Sequence, residues 1–281
     1  MRSHKATTPS KRHLKSIKMG FLSPGKTEKA LILPKVSKQG RSNSGRITSR
    51  FRGGRGKLLC RNIDFWFAKR GTLATRGAVV ELEYDPARTA YLAVILFLDG
   101  KLSTERRYMI PTDNLQVGDV VEIGDSASLK PGNILPLWKI SPGSEICCIE
   151  LMPGRGAQLV RAAGTKAQLL LVDEKHAAIR LPSQEVRLVP KECYAVIGCI
   201  NTPSHNKTTK GKAGRNRWLG RRPRVRGSAM NPTDHPHGGG EGRCPVGRKV
   251  PSTPWGKSAF GGRTRKTSRP ASKLILKPRY R

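Results

Sequence analysis

What most limits the folds open to this chain is where its charge lies. Residues 1–61 hold 17 Lys/Arg against one acid, Glu28, a net of +16. Residues 203–281 hold 21 against Asp234 and Glu241, a net of +19, while residues 62–202 carry 16 of each sign. The formal net charge of +35 is therefore confined to two flanks around a neutral centre. Flanks of this kind repel themselves and bury little apolar surface, so alone they are expected to stay disordered. Ordering them costs about 1–2 kcal/mol per residue in backbone entropy. A partner dense in phosphate offsets that cost by releasing condensed counterions. Nucleic acid is the partner this predicts. Solubilising tails are the bland alternative, although a far smaller charge suffices for solubility. An anionic membrane fits less well, because neither flank has an amphipathic or apolar run long enough to insert.

The neutral centre is organised in short β-like runs. "AVVELEY" (78–84), "YLAVILFL" (91–98), "RRYMI" (106–110) and "DVVEI" (119–123) form one group, with Asp99-Gly100 as a hairpin turn signal. "DSASLKPGN" (125–133) reads as a linker. A second group follows in "EICCIEL" (145–151), "QLVRA" (158–162), "AQLLLVD" (167–173), "HAAIRL" (176–181), "EVRLV" (185–189) and "YAVIGCI" (194–200). Short strands spaced by Gly/Pro/Asp turns, without helical periods between them, predict two small closed barrels. A single β-sandwich is the alternative, and the linker speaks against it. After Asn201 the pattern dissolves into basic, Gly/Pro-broken sequence, with Trp218 and Trp255 interleaved as stacking on bases would require. Either ring would serve equally well folded back onto a barrel.

Six cysteines, at 60, 147, 148, 193, 199 and 244, include no C-x-x-C pair, and no apolar secretory signal precedes them. They read as reduced thiols, with Cys147, Cys148 and Cys199 as small core residues. The N-terminus is rich in Lys, Arg, Ser and Thr, a composition shared by mitochondrial presequences and by basic RNA-binding arms.

Four chemistries compete for the polar motifs. "GFLSPGKT" (20–27) fits the phosphate-loop pattern letter for letter, but lacks the preceding hydrophobic strand and the following helix that the motif needs. His235 and His237, with Asp234, Glu241 or Cys244, could hold a metal, yet structural zinc sites pair ligands from two segments and no second pair exists. Ser228, Asp234 and His235 superficially resemble a nucleophilic triad, crowded into one loop without a nucleophile elbow. The fourth chemistry, backbone approach to nucleic acid, uses every residue type in "NPTDHPHGGGEG" (231–242). Gly238, Gly239 and Gly240 leave room for a phosphate ribbon and offer amide donors. Pro232 and Pro236 stiffen the loop, and the histidines suit a base or ribose. Arg224, Arg226 and Arg243 flank it with forks suited to phosphate. On this reading, Gly239→Val clashes with RNA rather than with the protein. "GRSNSGRITSRFRGGRGK" (40–57) repeats the logic in the other flank.

These residues carry a resemblance. "RWLGRRPRVRGSAMNPTDHPHGGGEGR" (217–243) resembles the signature of the universal large-subunit ribosomal protein L2 family in its bacterial form. The likeness continues in "GRSNSGRITSR" (40–50), "LEYDPAR" (82–88), "LKPGNILPL" (129–137), "ELMPGRGAQLVRAAGT" (150–165), "RLPSQEVRLV" (180–189) and "TPWG" (253–256). It implies a mainly β chain: a basic N-terminal arm at 1–57, an OB-fold RNA-binding barrel at 58–124, an SH3-like barrel at 125–202 and a basic extension at 203–281. It further implies a non-enzymatic constituent of the large subunit that binds large-subunit rRNA and supports subunit assembly and association. Its extensions would reach toward the peptidyl-transferase region, with neighbouring ribosomal proteins and the small subunit as further partners. Carried over position by position, RNA contact falls on Arg41, Arg46, Arg50, Arg52, Arg55, Lys57, Arg155 and Arg161. In the C-terminal segment it falls on Lys212, Arg215, Arg217, Trp218, Arg221, Arg222, Arg224, Arg226, Asn231, His235, His237, Gly238, Gly239, Gly240 and Arg243. His235 matches the family histidine associated with peptidyl-transferase function, and its implied role is to support RNA architecture. No cofactor is implied beyond Mg2+ associated with the rRNA.

The sequence departs from the family pattern at Phe51, where His is common, at Arg55-Gly56, and at Trp66-Phe67, where basic residues are usual. Ala162 replaces a frequent Ser. Contacts near the first three positions are expected to shift from phosphate pairing toward stacking or burial. "TPSKRH" (8–13) resembles the family's own N-terminus and leaves no room for a removable presequence, so synthesis is expected in a bacterium or inside an organelle. The departures favour an organellar ribosome, mitochondrial before plastid. Two rivals remain: a basic enzyme using His235 as general base or the 20–27 loop for nucleotide, and a free RNA chaperone.

Overall fold

The computed structural model describes residues 1–23, 28–34, 37–66, 75–99, 104–262 and 264–279. The chain is mainly β and divides into two compact units. The first comprises 1–36, 57–212 and 273–281, and the second 37–56 and 213–272. Among the described residues no helix is long and apolar enough to cross a membrane.

The first unit is built on an eleven-stranded sheet that forms an OB-fold barrel followed by an SH3-like barrel. Thr75–Glu83, Leu92–Phe97, Arg106–Met109 and Val120–Ile123 supply the first barrel, and the long Thr75–Glu83 strand pairs with both Leu92–Phe97 and Val120–Ile123. These strands form where alternating or continuous apolar residues meet β-branched ones, so their inward faces fill the core with Val79, Leu92, Ile95, Val121 and Ile123. A single parallel step, Ile123 beside Ile134, carries the sheet into the second barrel. There Ile134–Pro136, Glu145–Cys147, Ala167–Val172, His176–Arg180, Val186–Pro190 and Tyr194–Ile197 enclose a second cluster around Ile146, Ile149, Leu169 and Ile179. The first cluster also takes in Ile134, Tyr194 and Val196, so the two barrels share packing. The Asp99-Gly100 turn falls partly outside the described residues, as do residues 24–27 of the 20–27 motif. From Lys29 that motif is followed by a three-residue 3-10 turn and the strand Ile32–Pro34, not by a helix.

The expected linker at 125–133 is pinned rather than loose. The Ser128 amide and hydroxyl both donate to Glu122 Oε2 at 2.7 Å, and Asn133 Nδ2 donates to the same oxygen at 3.2 Å. The Ser128 amide, then its hydroxyl, lower the Glu122 pKa. The run 145–151 is split at Cys148, which has φ +47, into Glu145–Cys147 and the short strand Ile149–Glu150, paired with Ala157–Leu159. Cys147, Cys148 and Cys193 are fully buried free thiols. Cys199, expected in the core, is only half-buried, just beyond the end of Tyr194–Ile197.

Within the segments read as basic arms, residues 37–56 and 213–272 form the second unit, and residues 1–36, 203–212 and 273–281 belong to the first. Residues 37–56 leave and re-enter the first unit between Ile32–Pro34 and Leu59–Arg61, which pair antiparallel. The second of these strands is fixed to the first barrel through Arg61, whose Nη2 lies 3.4 Å from Glu83, and Glu83 in turn accepts the buried Tyr108 hydroxyl at 3.0 and 3.1 Å. Residues 213–272 end where Ile275–Lys277 returns to pair with Val186 and Arg187 at the edge of the second barrel. Closing a long loop costs little extra entropy per added residue, so both excursions are tolerated.

Ile146 is completely buried in the second core. Ile146→Ala is expected to lower unfolding free energy by about 2–5 kcal/mol, read as a fall in the urea midpoint of the purified chain.

Candidate nucleic-acid interface

The second unit carries 20 Lys/Arg against Asp234 and Glu241, a net of +18. Among its described residues no buried hydrophobic cluster forms. Among its described residues the only buried positions are Gly53, Gly220 and His235. Its order comes from backbone pairing between two segments far apart in sequence. Arg52 bridges Arg221, the Gly53 amide donates to Gly220 O at 3.0 Å, and the Arg222 amide donates to Phe51 O at 3.0 Å. Residues 37–56 and 213–272, parts of the two stretches expected as arms, thus form one body.

Phe51 organises the cations at this junction. It adopts φ +61, and its ring takes the Arg50 guanidinium at 5.1 Å and the Arg224 guanidinium at 5.7 Å from its centroid. This is a position where the resemblance led to histidine being expected; the phenylalanine ring present stacks with arginine. Nearby, Arg41 Nη1 donates to Gly45 O at 2.9 Å, closing a turn stabilised by the Thr48 and Ser49 amides on Gly40 O, each at 3.0 Å. Arg215, Arg217 and Trp218 lie on the short helix Ala213–Trp218, which places the indole at its exposed end.

His235 is 8% exposed and is the only side chain the unit buries among its described residues. Its Nδ1 accepts the His237 amide at 3.0 Å, and His237 Nε2 accepts the Ser252 amide at 2.8 Å. The two rings sit 4.8 Å apart and 55° tilted. Each imidazole therefore has one nitrogen engaged by a backbone N–H. Asp234 does not orient His235 through Nδ1, as a triad would require. Among the described residues no three His, Cys, Asp or Glu gather as a metal site. Desolvation, then the neighbouring His235 and Arg248, lower the His237 pKa from its usual 6.5.

The loop glycines answer first to the protein itself. A Cβ at Gly227 would overlap the His235 ring, so the imidazole lies directly on bare backbone. A Cβ at Gly238 would overlap Asn231 O. At Gly239, φ +89 favours glycine and a Cβ would sit 2.9 Å from Pro232 Cγ. The clash expected of Gly239→Val with RNA is therefore preceded by one inside the loop. The amides are also largely used: Gly238 donates to His235 O at 2.8 Å and Gly239 to Met230 O at 3.0 Å. Among the described residues, the Gly240 amide alone of the three has no such acceptor.

In the first unit lie four of the expected RNA-contact residues, Lys57, Arg155, Arg161 and Lys212. Arg161 stacks on Phe65 at 4.9 Å, and Arg88 takes the same ring at 5.2 Å. Arg155 is exposed, with Nη1 3.7 Å from Met152 Sδ. Arg88 and Phe65 were not singled out in the sequence; an aromatic between arginines from two distant loops leaves no local motif. Trp66 is exposed, and Phe67 lies outside the described residues.

A β chain carrying a coreless cationic unit, ordered by backbone bonds and studded with guanidinium–aromatic stacks, is built as an RNA-binding protein. Residues 28–123 match the family model described as Ribosomal Proteins L2, RNA binding N-terminal domain, and residues 130–256 match Ribosomal Proteins L2, C-terminal domain. The chain belongs to the ribosomal protein L2 family: it is a structural protein of the large ribosomal subunit, located in the ribosome, and binds rRNA.

Two outcomes follow from the histidine pair. Gly227→Ala should displace the His235 ring and raise the rate of limited proteolysis within 227–242. Gly242→Ala, with φ +62 and open space around its Cβ, should cost only about 1–2 kcal/mol of local left-handed strain. Since folding depresses the His237 pKa, its contribution is complete above about 6.5 and is lost as pH falls from there through the lowered value. Amide exchange at Ser252, which donates to that imidazole, should accelerate over the same interval.

Proposed function

We propose that the second unit is the principal rRNA-contacting surface. The observation that carries this reading is its net charge of +18 with His235 as the only side chain buried among its described residues. Such a body gains its stability from phosphates, each guanidinium replacing a counterion condensed on the nucleic acid. Contacts are assigned to Arg41, Arg46, Arg50, Arg52 and Arg55 from one loop. From the other they are assigned to Arg215, Arg217, Trp218, Arg221, Arg222, Arg224, Arg226, Asn231, His237, Gly240 and Arg243. Lys57, Arg155, Arg161 and Lys212 add contacts from the first unit. Gly238 and Gly239 act by shaping the loop, and His235 by holding it from within. Supporting residues of this kind suit a role in subunit assembly and association and in buttressing the peptidyl-transferase region, without chemistry of the protein's own. No cofactor is required, and any Mg2+ belongs to the rRNA. Partners in this role include neighbouring ribosomal proteins and the small subunit.

The departures at Phe51, Arg55 and Trp66-Phe67 favour an organellar ribosome, mitochondrial before plastid, with the bacterial cytoplasm as the alternative.

The chain should sediment with large-subunit particles and be released by ribonuclease or strong salt. With each neutralised phosphate adding roughly 0.7–0.9 to the slope of log K against log salt, about ten contacts give a slope of roughly −7 to −9. Arg222→Ala should reduce that slope by about one. A flat salt response, or turnover of a nucleotide or ester by RNA-free protein, would contradict the reading.

A further inference from the structure

The second unit contains a cleft of about 690 Å³ whose lining is chemically divided. One part is cationic, with Arg41, Arg50, Arg52 and Arg222. Another is aromatic and apolar, contributed by Phe51, Pro254 and Trp255. A single acid, Asp234, also lines it. We propose that this cleft binds one unstacked guanosine nucleotide of an RNA strand, with the base on Trp255, its Watson–Crick edge on Asp234 and its phosphates on the arginines. This rests on the RNA-binding reading above and names the base that reading leaves open.

The geometry of each part supports the assignment. Trp255 stands at the tip of a turn in which the Gly256 amide donates to Thr253 O at 2.9 Å and the Thr253 amide to Lys257 O at 2.7 Å. Pro254 presets the first corner, and Gly256, at φ +77, lets the chain leave. The indole is consequently 74% exposed, a large cost in apolar surface that the unit leaves uncovered. An unstacked base covers such a face by stacking on it, whatever the base. The volume falls within the range of pockets that enclose small ligands.

Asp234 supplies the selectivity. In a cleft with four guanidinium groups its carboxylate forms no ion pair among the described residues, so its oxygens remain as acceptors. An ionised carboxylate accepts only. Guanine alone among the four standard bases presents two adjacent donors, N1–H and the 2-amino group, on its Watson–Crick edge. Adenine and cytosine place a ring acceptor beside their amino group, and uracil flanks its N3–H with two carbonyls. A carboxylate therefore meets a matched pair of donors in guanine and at least one repelling lone pair in the others. The Asp234 backbone is fixed, since its amide donates to Asn231 O at 3.0 Å. It also adjoins the buried His235, so loop order and base selection are linked.

The test uses the purified full-length chain at moderate salt and fluorescently labelled hexauridine oligonucleotides carrying one central guanosine, inosine, adenosine, cytidine or uridine. The guanosine oligonucleotide should bind about tenfold tighter than the adenosine, cytidine and uridine forms. Inosine, which lacks the 2-amino group, should fall between. Asp234→Asn should erase the preference while strengthening binding of hexauridine, because a negative charge leaves the phosphate path. Non-specific damage would instead weaken every oligonucleotide. Trp255→Ala should weaken all of them at least fivefold, and Trp255→Phe should recover most of the loss. Equal affinity across the five, a guanosine preference that survives Asp234→Asn, or an inert Trp255→Ala would overturn the cleft assignment while leaving steep salt-dependent binding intact. Binding that is weak and flat in salt would overturn the RNA-contact reading together with it.

Discussion

Mutual repulsion among cations is the constraint on which this structure depends. A unit of net charge +18 has little to hold it together from within, and it does not try to do so with apolar packing. Its cohesion comes from backbone hydrogen bonds between residues 51–53 and 220–222, from glycine turns, and from guanidinium groups stacked on Phe51. These interactions have in common that they leave guanidinium edges available to oxygen acceptors. A hydrophobic core large enough to stabilise the unit alone would have displaced those arginines from its surface.

His235 takes the place that a leucine holds in an ordinary domain. It is small and planar, lies on the bare backbone of Gly227, and is tied through the His237 amide to a second imidazole and thence to Ser252. A hydrocarbon of similar size would fill the space but could not accept a backbone donor. The signature loop is thus an internally bonded object first and a surface second. Its glycines illustrate the order: the sites that look cleared for a phosphate are cleared for Asn231 and Pro232. Functional importance then passes through shape, since a displaced ring or carbonyl would move the arginines on either side.

The barrels could be read from the sequence because their strands announce themselves locally. Leu92–Phe97 and Ala167–Val172 are apolar runs bounded by turn residues, and each forms within a residue or two of its expected limits. The strands Leu59–Arg61, Ile134–Pro136 and Ile275–Lys277 escaped notice because three residues with a proline, a lysine or an arginine among them carry no period. The larger omission was topological. Nothing in "SRFRGGRGK" indicates that it pairs with "LGRRPRV", because strand partners separated by more than 150 residues share no local pattern. Treating these stretches as separate arms followed from charge and from the family resemblance, and charge is silent on which segments pair. The cationic character of the surface and the residues that compose it were readable; the burial of His235 and the cleft beneath Trp255 were not.

The strand Ile275–Lys277 has a consequence for the order of events during synthesis. Its partner, Val186–Pro190, emerges early, and the edge that it leaves open is filled only when the whole of 213–272 has been made. At ordinary elongation rates that interval is several seconds. Throughout it, the nascent second barrel exposes an unpaired ladder to its surroundings. The length of the cationic excursion thus acts as a timer on barrel completion, and any nucleic acid that captures the emerging excursion does so before the fold that will hold it has shut.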